Sequence, residues 1–158
     1  MPPPDDLRDL YQQVILDHSR RPRHHGRIEA PCTHVHGDNP TCGDEIDLWL
    51  KLDANGNIEQ LKFEGQGCAI SQASASMMSV KMQGSSQSQA RQLIADFRTV
   101  VTGEGNISDE DALGELALLE GVQKFPQRVK CATLAWRALE QALAEANGSQ
   151  AAAPATPS

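Results

Sequence analysis

Glu45-Ile46-Asp47-Leu48-Trp49-Leu50-Lys51-Leu52 alternates in character: Ile46, Leu48, Leu50 and Leu52 fall on one side, and Glu45, Asp47, Trp49 and Lys51 on the other. Successive side chains of a strand point to opposite faces, so this stretch reads as a half-buried β-strand. Asp53-Ala54-Asn55-Gly56-Asn57 supplies turn residues after it. The following run, Ile58 to Glu64, puts Leu61 and Phe63 on one face, and a less regular strand is expected before it at Thr33 to Gly37. Connections this short join neighbouring strands antiparallel, as a meander.

On either side of the strands the apolar period changes from two to that of a helix. Leu7, Leu10, Tyr11 and Val14 predict an amphipathic helix over about Asp6 to His18, with Asp5 or Asp6 as cap, ended by Pro22 and Gly26. After Gly67, Ile70, Ala73, Met77 and Val80 share one helical face. Ala90, Leu93, Ile94, Phe97 and Val101 share another, with Ser88 as cap, and Leu113, Leu116 and Ala117 mark a shorter helix. Val129, Ala132, Trp136, Leu139 and Leu143 mark the last. Met77, Met78 and Met82 read as core packing. Residues Asn147 to Ser158, rich in Ala, Pro and Ser, are expected to form a disordered tail behind a single domain over 1–146. A strand block flanked by helices gives an α+β domain, with helices on one face of the sheet.

The 158 residues carry a formal net charge of -7. That balance argues against a nucleic-acid binder, which needs a concentrated positive surface. The one basic cluster, Arg20-Arg21-Pro22-Arg23-His24-His25 with Arg27, is expected to be solvated or to dock an acidic protein. No apolar run approaches the roughly 20 residues that span a bilayer, and the N-terminus lacks a cationic stretch followed by an apolar one. A cytoplasmic location without membrane contact is the expectation. Thiols stay reduced there, so four cysteines point to metal or sulfur chemistry rather than to disulfides.

Cys42 sits in Asn39-Pro40-Thr41-Cys42-Gly43-Asp44, a tight loop before the alternating strand. A thiolate and the Asp44 carboxylate converging there would repel each other unless a cation joined them. A loop cysteine beside a turn aspartate is the plainer alternative. Cys68 follows Gly65-Gln66-Gly67 where a strand gives way to a helix. The free N–H groups of a helix start favour a thiolate, the form that binds metal and attacks sulfur. Cys131 falls in the first or second turn of the last helix, which Pro126 opens, with Arg128 and Lys130 beside it. Arg128, three residues earlier on the same face, could orient a sulfur species or bond Asp44; an ordinary solvated charge is the alternative.

Zinc accepts four such ligands, yet three thiolates and a carboxylate carry a formal charge of about -4 against +2, leaving excess negative charge for Arg128 or Lys130 to offset. Cys32, between Pro31 and Thr33, reads as a strand-edge cysteine rather than a fifth ligand or redox partner. His34 and His36 share one side of a strand and could bind metal or simply face solvent.

Three blocks in order carry a resemblance: Asn39-Pro40-Thr41-Cys42-Gly43-Asp44; Gly65-Gln66-Gly67-Cys68-Ala69-Ile70-Ser71 with Ala73-Ser74-Ala75-Ser76-Met77-Met78; and Arg128-Val129-Lys130-Cys131-Ala132. Together with Leu10-Tyr11, Ile15-Leu16-Asp17-His18 and Arg21-Pro22-Arg23 they resemble the IscU/NifU-N-terminal superfamily up to about Ala146. Lys130 stands where IscU-type proteins carry a histidine, and the stretch between Met78 and Cys131 is longer, with the extra material expected around Gly103 to Phe125; both features are similar to the SufU branch.

The resemblance implies a three-stranded antiparallel sheet packed by about five helices, of the SufE/NifU-like kind. It implies a zinc site from Cys42, Asp44, Cys68 and Cys131, and a persulfide accepted from a SufS-type cysteine desulfurase, with Cys42 as acceptor and Arg128 as the second candidate catalytic residue. A downstream Fe–S scaffold is then the candidate recipient. The alternative is a scaffold that itself assembles and transfers a [2Fe–2S] cluster on Cys42, Cys68 and Cys131. A zinc-stabilised interaction module is the third reading.

Overall fold

The computed structural model describes residues 4–29, 32–40 and 43–146, with side chains from residue 12 onward. The expected tail from Asn147 to Ser158 and Cys42 itself fall outside the described residues; the first helix already begins at Pro4, so Asp5 and Asp6 lie inside its first turn and neither is the expected cap. The elements run α1 (Pro4–Arg20), β1 (Thr33–Asn39), β2 (Asp44–Leu52), β3 (Ile58–Gln66), α2 (Ala69–Met82), α3 (Gln87–Thr102), α4 (Glu110–Leu113), a 3-10 segment (Gly114–Lys124) and α5 (Pro126–Ala146). Among the described residues no helix is long and apolar enough to cross a membrane.

The expected meander is present: an antiparallel sheet of three strands in the order β1-β2-β3. Ile46, Leu48 and Leu50 are buried as the alternation requires. Trp49, read from its place in the alternation as outward-facing, is nonetheless buried, because His34 stacks on its ring at 4.6 Å and the Arg27 guanidinium lies over the ring 5.5 Å from its centroid. Asp53 Oδ1 closes the β2–β3 turn by accepting the N–H groups of Asn55 and Asn57 at 2.9 Å each. β1 extends two residues past Gly37, so that Asn39 pairs with Asp44 across the β1–β2 connection.

The helices pack on the face that carries Ile46, Leu48 and Leu50 and share one core with it. At its centre Phe97 of α3 stacks on Trp136 of α5, with ring centroids 4.2 Å apart. Three expectations need correction. The α3 cap is Ser86, not Ser88: Ser86 Oγ accepts the Gln89 N–H, and Gln89 returns the bond in a capping box. Val80 is not on the buried face of α2 but 48% exposed, while Ser71, Ser74, Ser76 and Ser79 are buried. This helix is enclosed by α1, α5 and the sheet, and the hydroxyls of Ser74, Ser76 and Ser79 find internal partners. Ala117 is exposed because the segment after α4 winds as a 3-10 helix, and a repeat of three buries Leu113, Leu116, Leu119 and Val122 instead.

Candidate functional site

Three described side chains from distant parts of the chain meet at one end of the sheet. Asp44 opens β2, Cys68 immediately precedes α2, and Cys131 sits in the second turn of α5. Their donor atoms, one carboxylate oxygen and two sulfurs, all lie within 4.8 Å of one another. Asp44 and Cys131 are buried and Cys68 is half-buried, so the centre opens to the surface on the Cys68 side.

Local chemistry explains the arrangement. Cys68 occupies the N-cap position of α2 with an extended backbone, and its thiol makes no capping bond. Its N–H instead donates to Asp44 Oδ1 at 3.0 Å, which anchors the carboxylate and leaves Oδ2 3.8 Å from Cys68 Sγ. Gly67 is required by this packing: a Cβ there would overlap the Asp44 carboxylate. Gly65 is required one step earlier, where a Cβ would run into the Glu45 carbonyl of the neighbouring strand. The two glycines expected to form a sharp turn therefore also clear the space through which β2 presents Asp44.

The donor set suits a metal ion. Around tetrahedral zinc, a thiolate at about 2.3 Å and a carboxylate oxygen at about 2.0–2.2 Å stand about 3.5–3.7 Å apart. The observed sulfur–oxygen distance of 3.8 Å needs only a small contraction. Two thiols and a carboxylate offer three ligands, one short of the usual four. Cys42 lies outside the described residues, but two residue steps along the chain keep its Cα within about 7.6 Å of that of Asp44.

The remaining candidates separate clearly. Arg128 is exposed and lines the groove that Cys68 also lines; among the described residues it makes no side-chain hydrogen bond or ion pair, including any to Asp44. Lys130 is likewise exposed. Cys32 donates its thiol to the Ile28 carbonyl at 3.4 Å. It sits next to Thr33, at the opposite end of β1 from Asn39, roughly 20 Å away at about 3.3 Å per residue, which removes it as a fifth ligand. His34 and His36 both reach Asp47 Oδ1, at 2.9 and 3.2 Å, on the outer face of the sheet. They belong to no group of three close donors among the described residues. In the basic segment Arg23 pairs with Asp17 and Arg27 with Glu64, while Arg20 and Arg21 are exposed.

Apolar periodicity gave no sign of His18, Ser76 or Ser74. His18 Nδ1 lies 2.7 Å from Ser76 Oγ, and its Nε2 faces Glu115 at 3.6 Å. Ser74 Oγ donates to the Ala132 carbonyl at 2.6 Å and accepts the Trp136 indole N–H at 2.9 Å. That pair of bonds ties α2 to α5, the helices that carry Cys68 and Cys131.

Fold and site together define a small α+β domain with two thiols and a carboxylate, a set that could hold a metal ion, gathered at the end of a three-stranded sheet. The chain belongs to the NifU-like N-terminal domain family, whose model matches residues 10–132. It is 46% identical over 91% of its length to the iron–sulfur cluster assembly scaffold protein IscU of Streptococcus pyogenes serotype M1, covering 89% of that protein. It is 44% identical over 90% of its length to the zinc-dependent sulfurtransferase SufU of Bacillus subtilis, covering 95% of it. The fold matches the crystal structure of a candidate iron–sulfur cluster assembly scaffold protein for the SUF system from Fervidobacterium islandicum AW-1, with a TM-score of 0.78 and 37% identity over 83% of this chain and 94% of that one.

Proposed function

We propose that this chain serves iron–sulfur cluster assembly as a zinc-dependent sulfur carrier, with Cys42 taking sulfur from the persulfide of a SufS-type cysteine desulfurase. The observation that carries the reading is the convergence of Asp44, Cys68 and Cys131 within 4.8 Å at the base of the short loop that bears Cys42. The likeness to a zinc-dependent sulfurtransferase supports it.

Asp44, Cys68, Cys131 and Cys42 would hold the metal, and zinc bound there supplies positive charge that keeps the thiols deprotonated. In the transfer step the Cys42 thiolate attacks the terminal sulfur of the donor R–S–SH. A sulfur–sulfur bond forms at Cys42, the donor's bond breaks, and the donor cysteine leaves as a thiolate with its electron pair. The proton stays on the transferred sulfur, and no external electrons are needed. Asp44, held by the Cys68 N–H, fixes the far side of the centre, and Arg128 presents a cation toward the anionic sulfur at its mouth.

A second reading, a scaffold that builds and transfers a [2Fe–2S] cluster, is favoured by the likeness to a named scaffold protein. Metal analysis of protein purified without added iron separates the two. Colourless protein with one zinc per chain supports the carrier, and brown protein with matching iron and sulfide supports the scaffold. For the carrier, Cys42→Ala is expected to abolish stimulation of desulfurase turnover while the far-ultraviolet spectrum stays unchanged. Full stimulation by that variant would remove Cys42 as acceptor.

A further inference from the structure

Beside the centre lies a groove of about 960 Å³. Cys68 and Ile70 form one wall, and Leu118, Val122, Phe125 and Arg128 form the other. The second wall comes from the 3-10 segment and the start of α5. Phe125 is 59% exposed, the most exposed large apolar side chain among the described residues. It sits between Lys124 and the helix start, at the groove's edge.

The electrostatics of the groove differ from those of the rest of the surface. The chain as a whole carries a net charge of -7, yet the lining holds two cations, Lys124 and Arg128, against one carboxylate, Glu120. Arg23, Arg27, Lys51 and Arg98 are each paired with a carboxylate, while among the described residues other exposed cations such as Arg21, Arg91 and Lys130 are not; the groove is set apart by holding its cations beside an exposed apolar surface. Lys124 and Arg128 have no such partner among the described residues. Exposed apolar surface rimmed by unpaired charge is the make-up of a protein-binding site, and the unpaired cations define the charge of what binds.

We propose that this groove seats the reactive loop of the sulfur-donating protein, as an extended segment that lays an apolar side chain on Phe125 and a carboxylate between Lys124 and Arg128. This rests on the sulfur-carrier reading above and names how the donor is recognised. Continuity decides the occupant: Cys68 belongs to both groove and metal centre. A segment lying in the groove therefore brings its persulfide to Cys68 and the metal centre without a separate channel. A second copy that paired this face with itself would bring another Lys124–Arg128 edge against the first, so charge disfavours a self-paired groove.

The test uses the full zinc-loaded chain and two variants outside the metal centre, Phe125→Asp and Lys124→Glu. Three readings are taken on each: zinc per chain, sulfur accepted from glutathione persulfide, and the concentration that half-saturates stimulation of the cognate desulfurase. The expected result is unchanged zinc and unchanged uptake from the small donor, with half-saturation raised about tenfold or more for Phe125→Asp, as for loss of an aromatic anchor. Lys124→Glu should also raise it, and flatten the salt dependence seen for the wild type. Half-saturation within twofold of wild type in both variants would overturn the groove assignment and leave the carrier reading standing. The same unchanged kinetics, with Phe125→Asp turning a dimer into a monomer, would overturn it in favour of a self-interface. A wild-type chain that takes sulfur from neither donor would overturn the carrier reading and this proposal together.

Discussion

Asp44 holds Cys68 from both ends: Oδ1 accepts the Cys68 backbone N–H at 3.0 Å, and Oδ2 stands 3.8 Å from the Cys68 sulfur. One carboxylate thus satisfies a helix-start donor and presents a hard ligand to a soft donor set. Each role has its own substitution. Asp44→Asn keeps an oxygen for the N–H but removes the charge, so the metal-free fold should hold while zinc affinity falls, by roughly 10- to 100-fold or more. Asp44→Ala should also lower stability by about 1–3 kcal/mol, because the N–H loses its acceptor. Competition against a chromophoric chelator measures the first effect and urea unfolding the second. Equal zinc affinity in Asp44→Asn would take the carboxylate out of the ligand set.

Gly67 should tolerate no side chain. In Gly67→Ala the new methyl group overlaps the Asp44 carboxylate, so either the loop or Asp44 must move. A loss of about 1–3 kcal/mol is expected, together with weaker zinc binding. A melting temperature and a zinc titration both within error of wild type would mean that Asp44 does not sit against Gly67 in solution.

Ser74→Ala removes the hydroxyl that bridges the Trp136 indole and the Ala132 carbonyl. The buried N–H is left without an acceptor, at a cost of about 1–3 kcal/mol. Since the bridge joins α2 to α5, zinc affinity should fall with it. Thermal unfolding with and without zinc checks both effects.

His18 makes stability depend on pH. Burial, and secondarily the Arg23 charge, push its pKa below the ordinary 6.5, against the opposing pull of Glu115. Below pH 6.5 the unfolded chain takes up a proton that the folded chain resists. The contribution is therefore fully present above that value and is lost as pH falls toward the depressed folded pKa. Urea midpoints at about pH 7.5 and about pH 5.5 should differ more for wild type than for His18→Asn. Equal differences would mean that His18 does not carry the effect.

How far the sequence could be read depends on which physical signal each element leaves in it. The sheet was legible because Ile46, Leu48, Leu50 and Leu52 alternate with polar residues, and no other regular structure has that period. The starts of α2 and α5, and with them the settings of Cys68 and Cys131, were legible from Gly65-Gln66-Gly67 and Pro126. Buried Ser74, Ser76 and Ser79 of α2 were not, since a hydroxyl satisfied by a partner on another element has no signature in apolar spacing. The 3-10 segment was misread for a related reason: over so few turns, repeats of 3.0 and 3.6 residues diverge only at positions such as Ala117. The convergence at the centre had no local signal at all, because Asp44 and Cys68 are 24 residues apart. Only the antiparallel register and the helix packing bring them together.

The described donors come from the first strand-pairing corner, the crossing from sheet to helix and the final helix. No partial assembly of the chain contains all of them in place, so an ion that recognises the set distinguishes finished molecules from half-made ones. Its binding free energy is then shared by the entire domain rather than by one loop. Occupancy of the set by an ion would then report that the whole domain has folded.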